Sequence, residues 1–183
     1  MANDCDYKVR ISGNPENLQK VNESLNCEPI KNKGSLTLNE YPQLFKDSLD
    51  VEDWGSKWTV FNNIETDFQY PEDSHIHISG YSAWTPTLGF WQKLSKDFEV
   101  TIDLNYYERG NDFAGVVNFE NGEEITHEQM TYWEYLYQYD TSYLWEEIMD
   151  QCTWDELSGV KETLGSVWMK LSSEEILKIE QQY

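Results

Sequence analysis

Apolar residues in the first two thirds of the chain recur with two alternating periods, and each change of period marks a change of element. Tyr7, Val9 and Ile11 alternate with Lys8, Arg10 and Ser12, the period of two expected of a strand with one buried face, and Gly13 closes it. Asn14-Pro15 then supplies a capping side chain and a proline for a first helical turn, and Leu18, Val21 and Leu25 share one face of the helix that follows. Residues 26–34 are polar, contain Pro29 and Gly34, and read as a loop before a short strand at Leu36 and Leu38; a brief helix follows over Tyr41 to Asp50.

The same alternation returns downstream. Trp58 to Asn62 and Ser74 to Gly80 read as strands joined by an acidic loop through Pro71-Glu72-Asp73. Thr85-Pro86 repeats the cap-and-proline start, and Leu88, Trp91 and Leu94 fall at helical spacing before an end near Asp97. Val100, Ile102, Leu104 and Tyr106 alternate with polar residues or Tyr107, Asp112 to Phe119 reads as a further strand, and Asn121-Gly122 is a hairpin turn into Ile125 to Met130. The order predicts an α+β fold: a ferredoxin-like βαββαβ sandwich with an added β-hairpin, its helices on one face of an antiparallel sheet.

Past this point the pattern is helical. Tyr143 to Cys152 reads as a helix, and Thr153-x-x-Glu156 and Ser172-x-x-Glu175 are capping-box patterns that predict helices starting near Trp154 and Ser173. Residues 1–131 then make the ferredoxin-like domain. Residues 132–183 make an acidic, aromatic-rich helical appendage, expected to pack on that domain through Tyr135, Tyr139, Trp145, Trp154 and Trp168.

Composition narrows the classes of function. Eight Trp and twelve Tyr in 183 residues mean that rings supply much of the apolar burial. A formal net charge of -21 argues against direct binding of nucleic acid or of an anionic membrane, because both need Lys and Arg to neutralise phosphates. No apolar run approaches the ~18 residues of a membrane span, and the N-terminal residues lack the basic and apolar regions of a signal peptide, so a cytoplasmic protein is expected. Cys5, Cys27 and Cys152 have no metal-binding spacing and fit unpaired thiols in a reducing compartment.

The negative charge is unevenly placed. Between Arg109 and Lys161 there is no Lys or Arg, while twelve acidic residues lie from Asp112 to Glu156. A chain of this mass exposes on the order of 9,000 Å², so evenly spread charge would amount to roughly one per 440 Å², against about one phosphate per 100 Å² on duplex DNA. Clustered on the share of surface that residues 110–160 would expose, the twelve acids reach about one per 210 Å². A surface of that density suits a cationic partner if the acids gather on one face.

Several short motifs follow one another in order: Met1-Ala2-Asn3-x-Cys5, Gly13-Asn14-Pro15-Glu16, Trp54-Gly55-Ser56-Lys57-Trp58, Trp84-Thr85-Pro86, Tyr107-Glu108-Arg109-Gly110 and Phe113-Ala114-Gly115. Over about residues 1–122 the chain thereby resembles the YubB-type ferredoxin-like family of phage, plasmid and bacterial proteins. Asp4 stands where that family usually has Trp. The resemblance implies the fold and a mobile-element origin; since the family has no established activity, it implies no catalytic residue. The acidic helical C-terminus lies outside it.

Candidate chemistry is sparse. His75 and His77 fall at i, i+2 on one strand, about 6.5 Å apart on a shared face, a spacing open to two metal ligands, with Asp103 or Glu108 as a conceivable third. Two histidines on a solvated strand face need no such explanation, nor does His127, and no cofactor is expected. No phosphate-binding glycine loop, nucleophile elbow or metalloprotease helix motif occurs. Three expectations follow in order of preference. The first is a non-enzymatic protein of phage or mobile-element origin that inhibits a nucleic-acid-handling host or defence protein by DNA mimicry. Glu134, Asp140, Glu146, Glu147, Asp150, Asp155 and Glu156 would occupy its basic groove, with Tyr135, Tyr139 and Trp145 as aromatic anchors. The second is a structural or regulatory interaction module or homodimer whose charge confers solubility. The third is a metal-dependent enzyme built on His75 and His77.

Overall fold

The computed structural model describes residues 3–25, 36–37, 55–56, 58–68 and 74–183. They fall into two compact units, Met1–Gln129 and Met130–Tyr183. The first is an α+β unit of ferredoxin-like fold built on an antiparallel sheet. Its strands are β1 (Asp4–Ser12), β2 (Leu36–Thr37), β3 (Trp58–Asp67), β4 (His75–Ala83), β5 (Thr101–Glu108), β6 (Phe113–Glu120) and β7 (Glu123–Met130), and its helices are α1 (Pro15–Leu25) and α2 (Leu88–Phe98).

The sheet order β2-β3-β4-β1-β5-β6-β7 places β1 between β4 and β5, the split βαβ arrangement, and the β6-β7 hairpin extends one side. Alternation along β1 puts Cys5, Tyr7, Val9 and Ile11 on the face that α1 and α2 cover, where Ile76, Ile78, Ile102, Leu104, Val117 and Phe119 join them. Leu18, Val21 and Leu25 of α1, with Phe90, Trp91 and Leu94 of α2, complete this core, and each fully buried aliphatic or Phe side chain contributes about 1.5–3 kcal/mol. Trp91 sits at its centre, edge-on to Phe90 at 4.6 Å and to Tyr7 at 5.7 Å.

Two glycines allow tyrosines to cross the sheet. Tyr7 lies opposite Gly80 in register and Tyr106 opposite Gly115. A Cβ on Gly80 would overlap the Val60 carbonyl and press on Tyr7 Oη at 2.5 Å. Tyr7 Oη thereby reaches Val60 O at 2.7 Å and Thr59 Oγ1 at 2.8 Å. Tyr106 Oη crosses Gly115 to meet His127 Nε2 at 2.9 Å, which ties β7 to the sheet.

Local signals decide where the elements begin. Asn14 Oδ1 accepts from the Asn17 N–H at 2.9 Å, so α1 starts where its cap and proline place it. The reading of Thr85 as a cap is corrected. The second helix starts at Leu88 with Thr87 at the cap position and no side-chain capping bond; Thr85 Oγ1 donates instead to Gly55 O. The reason lies in Trp84, whose φ of 64° turns the chain sharply after β4 and uses up the residues before the helix. Asn121 and Gly122 both have positive φ, as the hairpin dipeptide requires. β3 runs through Asp67, past the expected Asn62, with an irregularity between Phe61 and Asn63. The Tyr41 to Asp50 helix, Cys27 and the Pro71-Glu72-Asp73 loop lie outside the described residues.

Residues 130–183 form the helical unit: α3 (Tyr132–Tyr139), α4 (Thr141–Trp154), α5 (Leu157–Leu164), a 3₁₀ turn (Trp168–Lys170) and α6 (Ser173–Glu180). The helix starting at Ser173 carries the expected capping box, Ser172 with Glu175. Thr131 and Glu134 form a second box that opens α3, an element the periodicity did not single out because its first residues are all aromatic or acidic. The reading of Thr153 as a cap is corrected. It lies in the last turn of α4, where its hydroxyl donates to Asp150 O at 2.6 Å, and Glu156 takes the cap position of α5.

Candidate functional site: the acidic face of the helical unit

Helix α4 has two chemically different sides. Leu144 and Ile148 are buried, whereas Tyr143, Glu146, Asp150 and Thr153, at spacings of three and four residues, are exposed. Asp140 caps the helix by accepting from the Tyr143 N–H at 3.3 Å, a favourable place for a carboxylate at the positive end of the helix dipole. Just before it, Tyr139 at the end of α3 is exposed, as is Glu156 just beyond α4. An exposed ridge of α4 therefore carries Tyr143, Glu146 and Asp150, with exposed Tyr139 before the helix and exposed Glu156 after it.

The lysines of this unit do not neutralise that ridge. Lys170 pairs with Glu134 at 3.6 Å, Lys161 with Glu180 at 3.9 Å and Lys178 with Glu174 at 3.4 Å. Lys161 also lies 4.9 Å from the Trp168 ring centre and Lys170 5.9 Å from that of Tyr137. All three cations are thus engaged with partners outside the 140–156 segment.

The structure divides the expected contact residues. Glu146, Asp150 and Glu156 are exposed, Asp140 and Asp155 are half-buried, and Asp155 accepts from the Gln151 side chain. Glu134 belongs to the capping box of α3: a bond from Ser166, then one from the Thr131 N–H, and more weakly Lys170, hold its carboxyl below the usual range. Glu147 faces inward and is buried, as is Tyr135, so both are withdrawn from an exposed face. Trp145 is half-buried, and among the anchors Tyr139 alone is well exposed, joined by Tyr143, which sequence spacing would have placed beside Glu146 once α4 was known to begin at Thr141.

His75 and His77 do lie together on β4, with ring centres 4.7 Å apart. The expected third ligands do not join them. Glu108 is on the opposite, helix-covered face, and Asp103 accepts from Asn118 Nδ2 at 2.7 Å two strands away from β4. Among the described residues no group of three His, Cys, Asp or Glu is arranged to hold a metal ion. Burial, then the charges of His75 and Arg10, push the His77 imidazole down, and Glu65 opposes them weakly.

Several of the short motifs converge at one end of the sheet. Thr59, Ser82, Cys5 and Glu108 are all buried there, on adjacent strands of the core face. Glu108 accepts from the Gly110 and Asn111 N–H groups at 2.7 Å each and so closes the turn before β6. Ser56 Oγ donates to Ala83 O at 2.9 Å, and the Trp84 N–H to Asn3 O at 2.9 Å. Burial, with Asp6 and Glu108 nearby, pushes the Cys5 thiol up to about 12, far from the range of a nucleophile. This end is a hydrogen-bonded lock joining strand ends.

Comparison with known proteins agrees with the fold. Residues 58–143 match the family described as the ferredoxin-like domain in Api92-like protein. That supports the ferredoxin-like class expected from the sequence and does not carry the YubB naming. A crystal structure of the protein api92 from Yersinia pseudotuberculosis is similar at 19% identity, over 43% of this chain and 28% of that chain, with a TM-score of 0.37. This chain therefore spans less than a third of that protein's length. No curated protein matches it.

Proposed function

We propose that the protein is a non-enzymatic binding protein that uses the exposed ridge of α4 to occupy the basic groove of a nucleic-acid-handling protein, as a DNA mimic of phage or mobile-element origin. The observation that carries this reading is the pairing of all three lysines of the helical unit with acids outside residues 140–156. Glu146 and Glu156 therefore meet solvent away from the lysines of their own unit, and Asp150 is exposed on the same side of α4 as Glu146. Carboxylates so placed take the positions of phosphates opposite Lys and Arg, while Tyr139 and Tyr143 supply aromatic anchors of the kind that dominate interface energy.

The test is capture of partners from a bacterial lysate on the immobilised full chain, then titration of each captured partner at rising salt. The reading expects a partner that itself binds nucleic acid, loses this protein to competing duplex DNA, and weakens by about tenfold or more between 50 and 200 mM salt. A salt-insensitive partner without a basic groove contradicts it.

The alternative of a homodimeric module draws on a separate observation. Trp58, Tyr81 and Tyr107 are half-buried on the open face of the sheet, with Trp58 and Tyr81 edge-on at 5.9 Å. Light scattering that finds a dimer at micromolar concentration would favour this reading, and a monomer would remove it.

A further inference from the structure

The sheet face turned away from α1 and α2 holds a hollow of about 460 Å³. That is within the range of small-molecule sites, ~300–1,000 Å³. Strand register defines its centre. Arg10 on β1 lies opposite His77 on β4 and Asp103 on β5; Glu65 lies opposite His77, and Asn118 opposite Asp103. Two residues earlier on β1, Lys8 lies between Ser79 and Asn105 on the same face.

In a chain of net charge -21, an arginine with Asp103 on the next strand and Glu65 beyond His77 would be expected to pair with one of them. It does not. Asn118 Nδ2 donates to Asp103 Oδ1 at 2.7 Å, and Asn63 Nδ2 donates to Glu65 Oε1 at 2.7 Å. Each carboxylate is held by a carboxamide from its own side, and among the described residues Arg10 makes no hydrogen bond or ion pair. Each carboxylate keeps a second oxygen for another donor. A guanidinium fork is thus left open in the hollow, with the fixed carboxylate of Asp103 on the next strand and that of Glu65 beyond His77.

We infer that this hollow binds a small zwitterion of the α-amino acid class, its carboxylate on the Arg10 guanidinium and its ammonium on Asp103 or Glu65. The charges of the hollow select for both signs in one ligand. A plain anion such as phosphate gains Arg10 and Lys8 but meets the Asp103 carboxylate one strand away, within a screening length of roughly 8 Å, with Glu65 one strand further off, and a plain cation meets the two bases. A zwitterion matches both, and the planar fork of Arg10 fits a carboxylate in two parallel bonds. Ser79 and Asn105 offer further polar contacts along the wall. This site lies on the sheet and is independent of the acidic ridge of the helical unit.

The experiment is calorimetric titration of the full-length protein with each common L-α-amino acid, then with the N-acetyl and carboxamide derivatives of the tightest binder, and with acetate and inorganic phosphate. At least one amino acid should bind in the millimolar range or tighter, and each singly charged derivative should bind about tenfold more weakly. Arg10→Met should abolish the heat while leaving the thermal midpoint unchanged; if that variant does not fold, Arg10→Lys, which keeps the charge and loses the fork, should weaken binding by about tenfold. Glu65→Gln combined with Asp103→Asn should weaken the amino acid and leave its N-acetyl derivative unharmed. Absence of binding by every amino acid at 10 mM, phosphate or the N-acetyl derivative binding as well as the parent, or an unaffected Arg10 variant overturns the inference.

Discussion

Gly80 and Gly115 carry no side chain because tyrosines from the neighbouring strands occupy their places. Gly80→Ala must displace Tyr7 from Thr59 and Val60, and it should cost roughly 3 kcal/mol in chemical denaturation. Gly159, inside α5, is the contrasting case. Its added Cβ would meet Asp155 at an ordinary 3.4 Å, so Gly159→Ala should be neutral or stabilise by up to about 1 kcal/mol. If both substitutions act alike, the packing account of Gly80 fails. Alternation alone identified Tyr7 and Tyr106 as core-facing. It could not show which residue lies opposite each, because register depends on pairing between segments far apart in sequence. Cys5 makes a second test at this scale: with its thiol raised to about 12 and buried, it should resist a thiol reagent at pH 8 until the protein is unfolded. Rapid labelling of Cys5 in the native protein, read by mass spectrometry, would contradict the lock at that end of the sheet.

At the scale of elements, caps decided both what was legible and what was misread. Asn14 and Ser172 do what their spacing says, since each stands directly before an uninterrupted helical segment. Thr85 and Thr153 have comparable local sequences but lie, respectively, in the sharp turn at Trp84 and inside α4, where tertiary structure had already assigned the backbone. The boxes at Thr131 and Ser172 have a measurable consequence. Hydrogen bonds hold Glu134 and Glu175 below their ordinary value of 4.5, so the stability they add is complete above that pH and is lost as pH falls through their lowered values. Thr131→Ala should cost about 1 kcal/mol at pH 7, with the difference from the parent shrinking as the pH falls through the lowered value of Glu134. A cost that stays constant through that range, followed by far-UV circular dichroism on denaturation, would show that the carboxylate plays no part.

For the whole molecule, the order of strands and helices in residues 58–130 could be read from periodicity because most elements there are alternating or amphipathic and several of their turns carry Gly, Pro or Asn. The acidic ridge could not be read to the same depth. Its sequence gives a run of carboxylates, but only the placement of α4 separates exposed Glu146 and Asp150 from buried Glu147. The hollow around Arg10 was still less visible, since it joins residues from four strands.

Displacement from DNA tests the proposed mimicry most directly. Bacterial lysate proteins are loaded on duplex-DNA resin at 50 mM salt and eluted with the full-length protein or with the Glu146→Lys, Asp150→Lys, Glu156→Lys triple variant, whose fold is checked by circular dichroism. The account predicts that the parent releases one or a few nucleic-acid-binding proteins and that the triple variant, matched in concentration, releases at least about tenfold less. Release of nothing by the parent, or equal release by both, would contradict it.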